Sequence, residues 1–155
     1  MTVLSAAAVV FIFLRSMQSA EDSSQESGWL LGIINRFLCS LHIDIVLTDH
    51  YIRKAAHFTE YTILGGLFGV TMYLYMQKRA AAMLTALFAG IAVAVCDELI
   101  QRSYEGRSGQ FSDVILDSSG VIFGALIVIG VISLIIVRRK KKACKTGPDN
   151  LKNNE

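Results

Sequence analysis

Residues 118–137 form a run of twenty residues without a charge, bounded by Asp117 on one side and Arg138 on the other. A helix that crosses a bilayer needs about 20 predominantly apolar residues, so this run restricts the chain to lipid-compatible folds. Residues 80–96 form a second uncharged run of seventeen. In hydrocarbon every backbone N–H and C=O must be satisfied within the segment, which selects helices. Composition agrees: 53% of the residues are hydrophobic and 18% charged, with a single proline. Soluble domains average about 45–50% apolar and about 25% charged.

Two further segments complete an expected set of four spans. Residues 2–14 are uncharged but short; without a basic leader or a small-residue cleavage site, they read as a first helix over 2–17 rather than a signal peptide. The second span is expected over 53–76, the third over 80–101 and the fourth over 112–137. Residues 19–28 are polar and acidic and read as a solvated loop. Residues 29–41 place Trp29, Ile33, Phe37 and Leu41 along one helical face, a pattern that suits a helix lying in the membrane interface. The expected architecture is therefore all-α: a polytopic four-transmembrane-helix bundle over 1–137 with an interfacial helix between spans one and two. Residues 138–155 read as a basic, disordered tail.

Lysines and arginines in short loops stay on the cytoplasmic side. Lys78 and Arg79 lie between spans two and three, and Arg138, Arg139, Lys140, Lys141, Lys142 and Lys145 follow span four. Four crossings put both groups on one side together with the N-terminus, so both termini are expected in the cytoplasm of a multi-pass cell-membrane protein. The terminal basic cluster reads as this topological anchor rather than as a nucleic-acid site. Arg15, Arg36, Arg53, Lys54, Arg102 and Arg107 fall on the opposite side. Cys39, Cys96 and Cys144 match neither a disulfide framework nor zinc spacing.

This topology has a geometric consequence. The start of span two, the end of span three and the start of span four reach the same extracytoplasmic face. Arg53, His57 and Glu60 share one stripe of span two at i, i+4, i+7. Asp97 and Gln101 share a face of span three, with Glu98 beside them. Asp113, Asp117, Gly120 and Gly124 follow i, i+4, i+7, i+11 on span four, and small residues mark the face along which membrane helices approach closely. An ionisable side chain at the bilayer centre costs about 2.5–3.5 kcal/mol on insertion scales, so Glu60, Asp97, Glu98, Asp113 and Asp117 must face inward and be balanced by cations.

His57, Glu60, Asp97 and Glu98 are the candidate acid, base or orienting groups, since histidine changes charge near neutral pH. Arg53, Lys54, Gln101, Arg107, Asp113 and Asp117 are the candidate ligand-binding residues, with the arginine forks suited to phosphate or carboxylate. A structural ion-pair network that holds the helices in register is the plainer alternative. His57 with Asp97 and Glu98 could also ligate a metal, but no pair here has the two-ligand helical spacing of a zinc site, so neither a metal nor any other cofactor is expected.

These residues carry a family resemblance. Arg53-Lys54-x-x-His57-Phe58-x-Glu60-Tyr61, then Asp97-Glu98-x-x-Gln101, Gly106-Arg107 and Asp113-Val114-x-x-Asp117-x-x-Gly120, in that order, resemble the VanZ family of bacterial membrane proteins. The resemblance implies a compact multi-helix membrane domain, found mainly in Gram-positive bacteria, whose namesake is associated with low-level resistance to the glycopeptide teicoplanin. Family members often have Asn at the position of Asp117 and Pro-Gly-Arg where this chain has Glu105-Gly106-Arg107, so this chain adds an acid to the charged cluster.

The expected function is recognition of an anionic lipid-linked or amphipathic cell-envelope ligand, with membrane lipid, an envelope precursor or a glycopeptide as the partners. An acid–base enzyme acting on an envelope lipid and a small transporter or proton relay are the alternatives. The apolar far halves of the helices give a relay no onward path. Oligomeric state is not legible in the sequence.

Overall fold

The computed structural model describes residues 1–18, 20–41, 47–104 and 110–146. The described residues are all-helical: α1 (Thr2–Ser16), α2 (Ala20–Ser40), α3 (Asp49–Met76), α4 (Arg79–Gln101) and α5 (Phe111–Thr146).

The most extensive packing joins α3 to α5, with α4 laid against both and α1 against α3 and α4. Glycine creates the α3–α5 seam. A methyl group at Gly120 would stand 2.7 Å from the Phe58 carbonyl oxygen, and one at Gly124 or Gly65 would collide with the backbone of Thr62 or Val121. The stripe carrying Asp113 and Asp117 is therefore also the packing face of α5.

Contacts at both ends fix the helix directions. Ser5 of α1 meets Thr71 near the end of α3, with 3.0 Å between hydroxyls, whereas Ser16 donates to Asp97 near the end of α4. Arg79 at the start of α4 donates to Ser133 late in α5 at 3.0 Å. Hence α1 and α4 run one way, and α3 and α5 the other. The C-terminal ends of α1 and α4 meet the N-terminal ends of α3 and α5 at one end of the bundle.

An apolar core is joined by buried acids, and much of the exterior is apolar as well. Fully buried positions include Asp97 and Asp117 beside Tyr61, Leu64 and Val121, while Val3, Phe88, Phe123, Leu126 and Leu134 are exposed. Large contiguous apolar surfaces of this kind require a nonaqueous neighbour.

Two helices are long and apolar enough to cross a membrane, spanning Arg79–Gln101 and Phe111–Lys142 with mean hydropathies of 2.0 and 3.0. The expected four are not reached by this measure, for two different reasons. The first helix, α1, has 15 residues, a rise of only about 22 Å against a hydrocarbon core of about 30 Å. The third, α3, is long enough at 28 residues, but Asp49, Arg53, Lys54, His57 and Glu60 interrupt its apolar character.

Two local expectations are corrected. The residues read as a solvated loop over 19–28 belong to α2 from Ala20 onward; the Ala, Glu and Gln residues of this stretch are good helix formers. The basic segment read as disordered continues α5 to Thr146, since Arg and Lys sustain a helix and are favoured at its C-terminal end. Residues 147–155 of the tail lie outside the described residues. The side chain of Asn35 tethers α2 to the start of α3: its amide donates to the Leu47 carbonyl at 3.1 Å, and its oxygen accepts from the Leu47 N–H at 3.0 Å.

Candidate functional site

The ends of α3, α4 and α5 enclose a cavity of about 140 Å³, lined by His50, Arg53, Lys54, His57, Glu98, Gln101, Gln110, Asp113, Leu116 and Asp117. Seven of the ten residues singled out in the sequence stand on its wall. Asp97 lies just behind it, and Glu60 turns towards α1. Arg107 lies outside the described residues.

Each wall follows from local helix geometry. On α3, His50, Lys54 and His57 recur at i, i+4 and i+7, which gathers them on one face with Arg53 adjacent. Arg53 Nη2 stands 3.4 Å from Asp49 one turn earlier. Lys54 Nζ crosses to α5 and meets Asp113 Oδ1 at 3.0 Å. Both pairs are about one-third exposed at the side chain, so their cations can exchange partners at modest cost.

At the end of α4, Glu98 accepts the Gln110 backbone N–H at 3.0 Å. This ties the link between α4 and α5 back onto α4 and sets a carboxylate at the N-terminal end of α5, where the helix dipole favours negative charge. Gln101 Nε2 donates to Asp97 Oδ2 at 3.1 Å, and Ser16 donates to Asp97 Oδ1. Asp97 thus has both oxygens engaged, one of them from α1.

Deeper still, Asp117 is fully buried, and neither of its carboxylate oxygens has a hydrogen-bond partner among the described residues. Its nearest basic neighbour is His57, with Nδ1 3.8 Å from Asp117 Oδ1. Ligand atoms of His57, Asp97 and Asp117 all lie within 4.8 Å of one another. Glu60 meets Arg15 of α1 at 3.9 Å. Of the cations expected to balance the acids, Arg53 and Lys54 stand against the outer acids Asp49 and Asp113, and His57 against the inner Asp117.

Sequence reasoning missed Ser16, Arg15, His50 and Gln110. His50 carried a detectable signal, since it extends the Lys54–His57 stripe by one turn. Ser16 and Arg15 had only a weak one, a polar pair closing a short apolar run. Gln110 acts through its backbone, which its side-chain identity does not advertise.

A helix bundle that buries carboxylates at one end and exposes aliphatic side chains over its flanks is a membrane protein. A VanZ/LLP1 family model matches residues 1–136, and the chain belongs to that family. No curated protein and no solved structure matches it.

Proposed function

We propose that the chain crosses the membrane four times and that the cavity opens to the extracytoplasmic leaflet, where it recognises the anionic headgroup of a lipid-linked or amphipathic envelope ligand. The observation that carries this reading is the presence of Arg53 and Lys54 on the cavity wall, each paired with a partly exposed acid. Such cations can be recruited by an incoming phosphate or carboxylate through charge-assisted hydrogen bonds. A cavity of about 140 Å³ is well below the roughly 300–1,000 Å³ of a pocket for a drug-sized ligand. It takes a headgroup and leaves an acyl or prenyl chain to lie against the apolar flanks in lipid.

The alternating helix directions support four crossings, with α1 and α3 spanning despite their length and charge because both pack into the same bundle. Lys78, Arg79 and the basic end of α5 then face the cytoplasm together with both termini. Ile33, Phe37 and Leu41 are exposed along α2, which supports an interfacial position for that helix on the outer surface. Glycopeptides and their cell-wall precursor targets meet at that surface, so a contribution to teicoplanin resistance fits the placement.

The test is teicoplanin susceptibility in a sensitive bacterial host expressing the chain. Arg53→Gln/Lys54→Gln protein, inserted at parental levels, is expected to lose any protection the parent confers. Full protection by that double variant refutes the headgroup reading. A second reading, acid–base chemistry on the bound ligand, is favoured by His57 standing beside Asp117 at the cavity wall. It predicts that His57→Gln abolishes a ligand-derived product in lipid extracts while leaving binding intact.

A further inference from the structure

Two carboxylates buried side by side need a counter-charge. Asp97 and Asp117 are both 0% exposed, and placing unbalanced charge in such surroundings is strongly unfavourable. Among the described residues, Arg53 and Lys54 pair with the outer acids Asp49 and Asp113, and Arg15 meets Glu60. The third group at the centre is an imidazole, and a neutral His57 contributes a lone pair but no charge.

We infer that His57, Asp97 and Asp117 form a binding site for one divalent cation at the floor of the cavity. The three donors come from α3, α4 and α5, and all lie within 4.8 Å of one another. Donors on one tetrahedral ion with bonds of about 2.1 Å stand about 3.4 Å apart, so a small inward movement of side chains completes the set. A neutral imidazole, two carboxylates and a dication sum to zero charge, which removes the electrostatic cost of the buried pair.

A second observation points to the same occupant. Both oxygens of Asp117 are buried without a hydrogen-bond partner among the described residues, whereas buried polar atoms are otherwise almost always satisfied. Asp97, in contrast, is held from behind by Ser16 and Gln101, the kind of outer-shell support that orients a ligating carboxylate. His57 and Asp117 also line the cavity, so the ion faces it and keeps a coordination position open, as catalytic and substrate-binding metal centres do. The mixed nitrogen and oxygen donors suit Zn²⁺ or Mn²⁺ better than a thiolate-seeking or an all-oxygen ion.

No single helix supplies two of these ligands, so spacing along the chain lent a metal no support; the fold brings Asp117, in place of Glu98, to His57 and Asp97. The inference rests on these three side chains and does not depend on the anionic-headgroup reading.

The test is binding of Zn²⁺ alone and of Mn²⁺ alone to the full chain, purified in detergent and stripped with chelator, followed by calorimetry and by metal analysis after desalting. One ion per chain is expected. Outer-shell partners are worth about 10–100-fold in affinity, so Ser16→Ala is expected to weaken binding within that range. His57→Gln, which removes a ligand, is expected to weaken it by at least about a hundredfold. His57 is part-exposed at the side chain, so His57→Gln protein is expected to fold and decides the matter even where Asp117→Asn protein fails to accumulate. Absence of stoichiometric binding of either ion, or unchanged binding by His57→Gln protein, overturns the site.

Discussion

Ser16, the last residue of α1, donates a hydrogen bond to Asp97 near the end of α4, across 81 positions of sequence. The bond ties the shortest of the described helices to one of the two fully buried acids of the site. It also makes α1 part of the site rather than a detached anchor, with Arg15 against Glu60 as a second tie.

Ser16→Ala removes the donor and leaves an Asp97 oxygen unsatisfied in a buried place. Unsatisfied buried groups cost about 1–3 kcal/mol, while interhelical hydrogen bonds in membranes average nearer about 0.6 kcal/mol. A loss of about 1–2 kcal/mol is expected in denaturant-induced unfolding in detergent micelles. Ser16→Thr, which keeps the hydroxyl, is expected to recover at least half of it.

Gly124 is the tightest point of the α3–α5 seam, directly against the Thr62 carbonyl. Gly124→Val must push the two helices apart, and overpacking of this kind costs about 1–3 kcal/mol or more. Gly130 on the same helix has open space around it, so Gly130→Ala is expected to be neutral or slightly stabilising through helix propensity. Thermal unfolding of the two variants, measured side by side, checks the contrast.

Lys54 and Asp113 meet at 3.0 Å on the cavity wall. With both side chains about one-third exposed, their coupling is expected to be no more than about 1 kcal/mol in a double-mutant cycle. Binding responds in opposite directions. Asp113→Asn releases Lys54 and is expected to tighten binding of a polyprenyl phosphate, whereas Lys54→Gln is expected to weaken it.

Topology is open to direct labelling. With Cys39, Cys96 and Cys144 replaced by Ser, a single cysteine at Ser103 is expected to react with a membrane-impermeant maleimide added outside intact cells. A single cysteine at Lys78 is expected to react only after permeabilisation. The reverse pattern contradicts the assigned orientation.

Much of this arrangement was legible in the sequence because helical period and charge do the same work in lipid. The Arg53, His57 and Glu60 stripe and the Asp113-to-Gly124 stripe each mark a face, and burying carboxylates forces those faces inward. Seven of the ten residues so selected line the cavity. What the sequence hid was pairing between helices. Nothing in α3 alone indicates that Lys54 reaches Asp113, and nothing in α4 alone indicates that Asp97 takes a partner from α1. The stretch over 19–28 misled because acidic, serine-rich composition fits both a loop and the first turns of an amphipathic helix. The basic run after Val137 misled for the related reason that charge excludes a segment from hydrocarbon without excluding it from a helix.

The central claim, that the cavity takes an anionic headgroup through Arg53 and Lys54, is tested most directly by native mass spectrometry of the detergent-purified chain with a polyprenyl phosphate and the matching uncharged polyprenol. One saturable phosphate-lipid adduct per chain is expected, at least about tenfold weaker in Arg53→Gln/Lys54→Gln protein, since each lost charge-assisted bond removes about 1.5–3 kcal/mol. Equal binding of the uncharged polyprenol, or undiminished phosphate-lipid binding by the double variant, would contradict it.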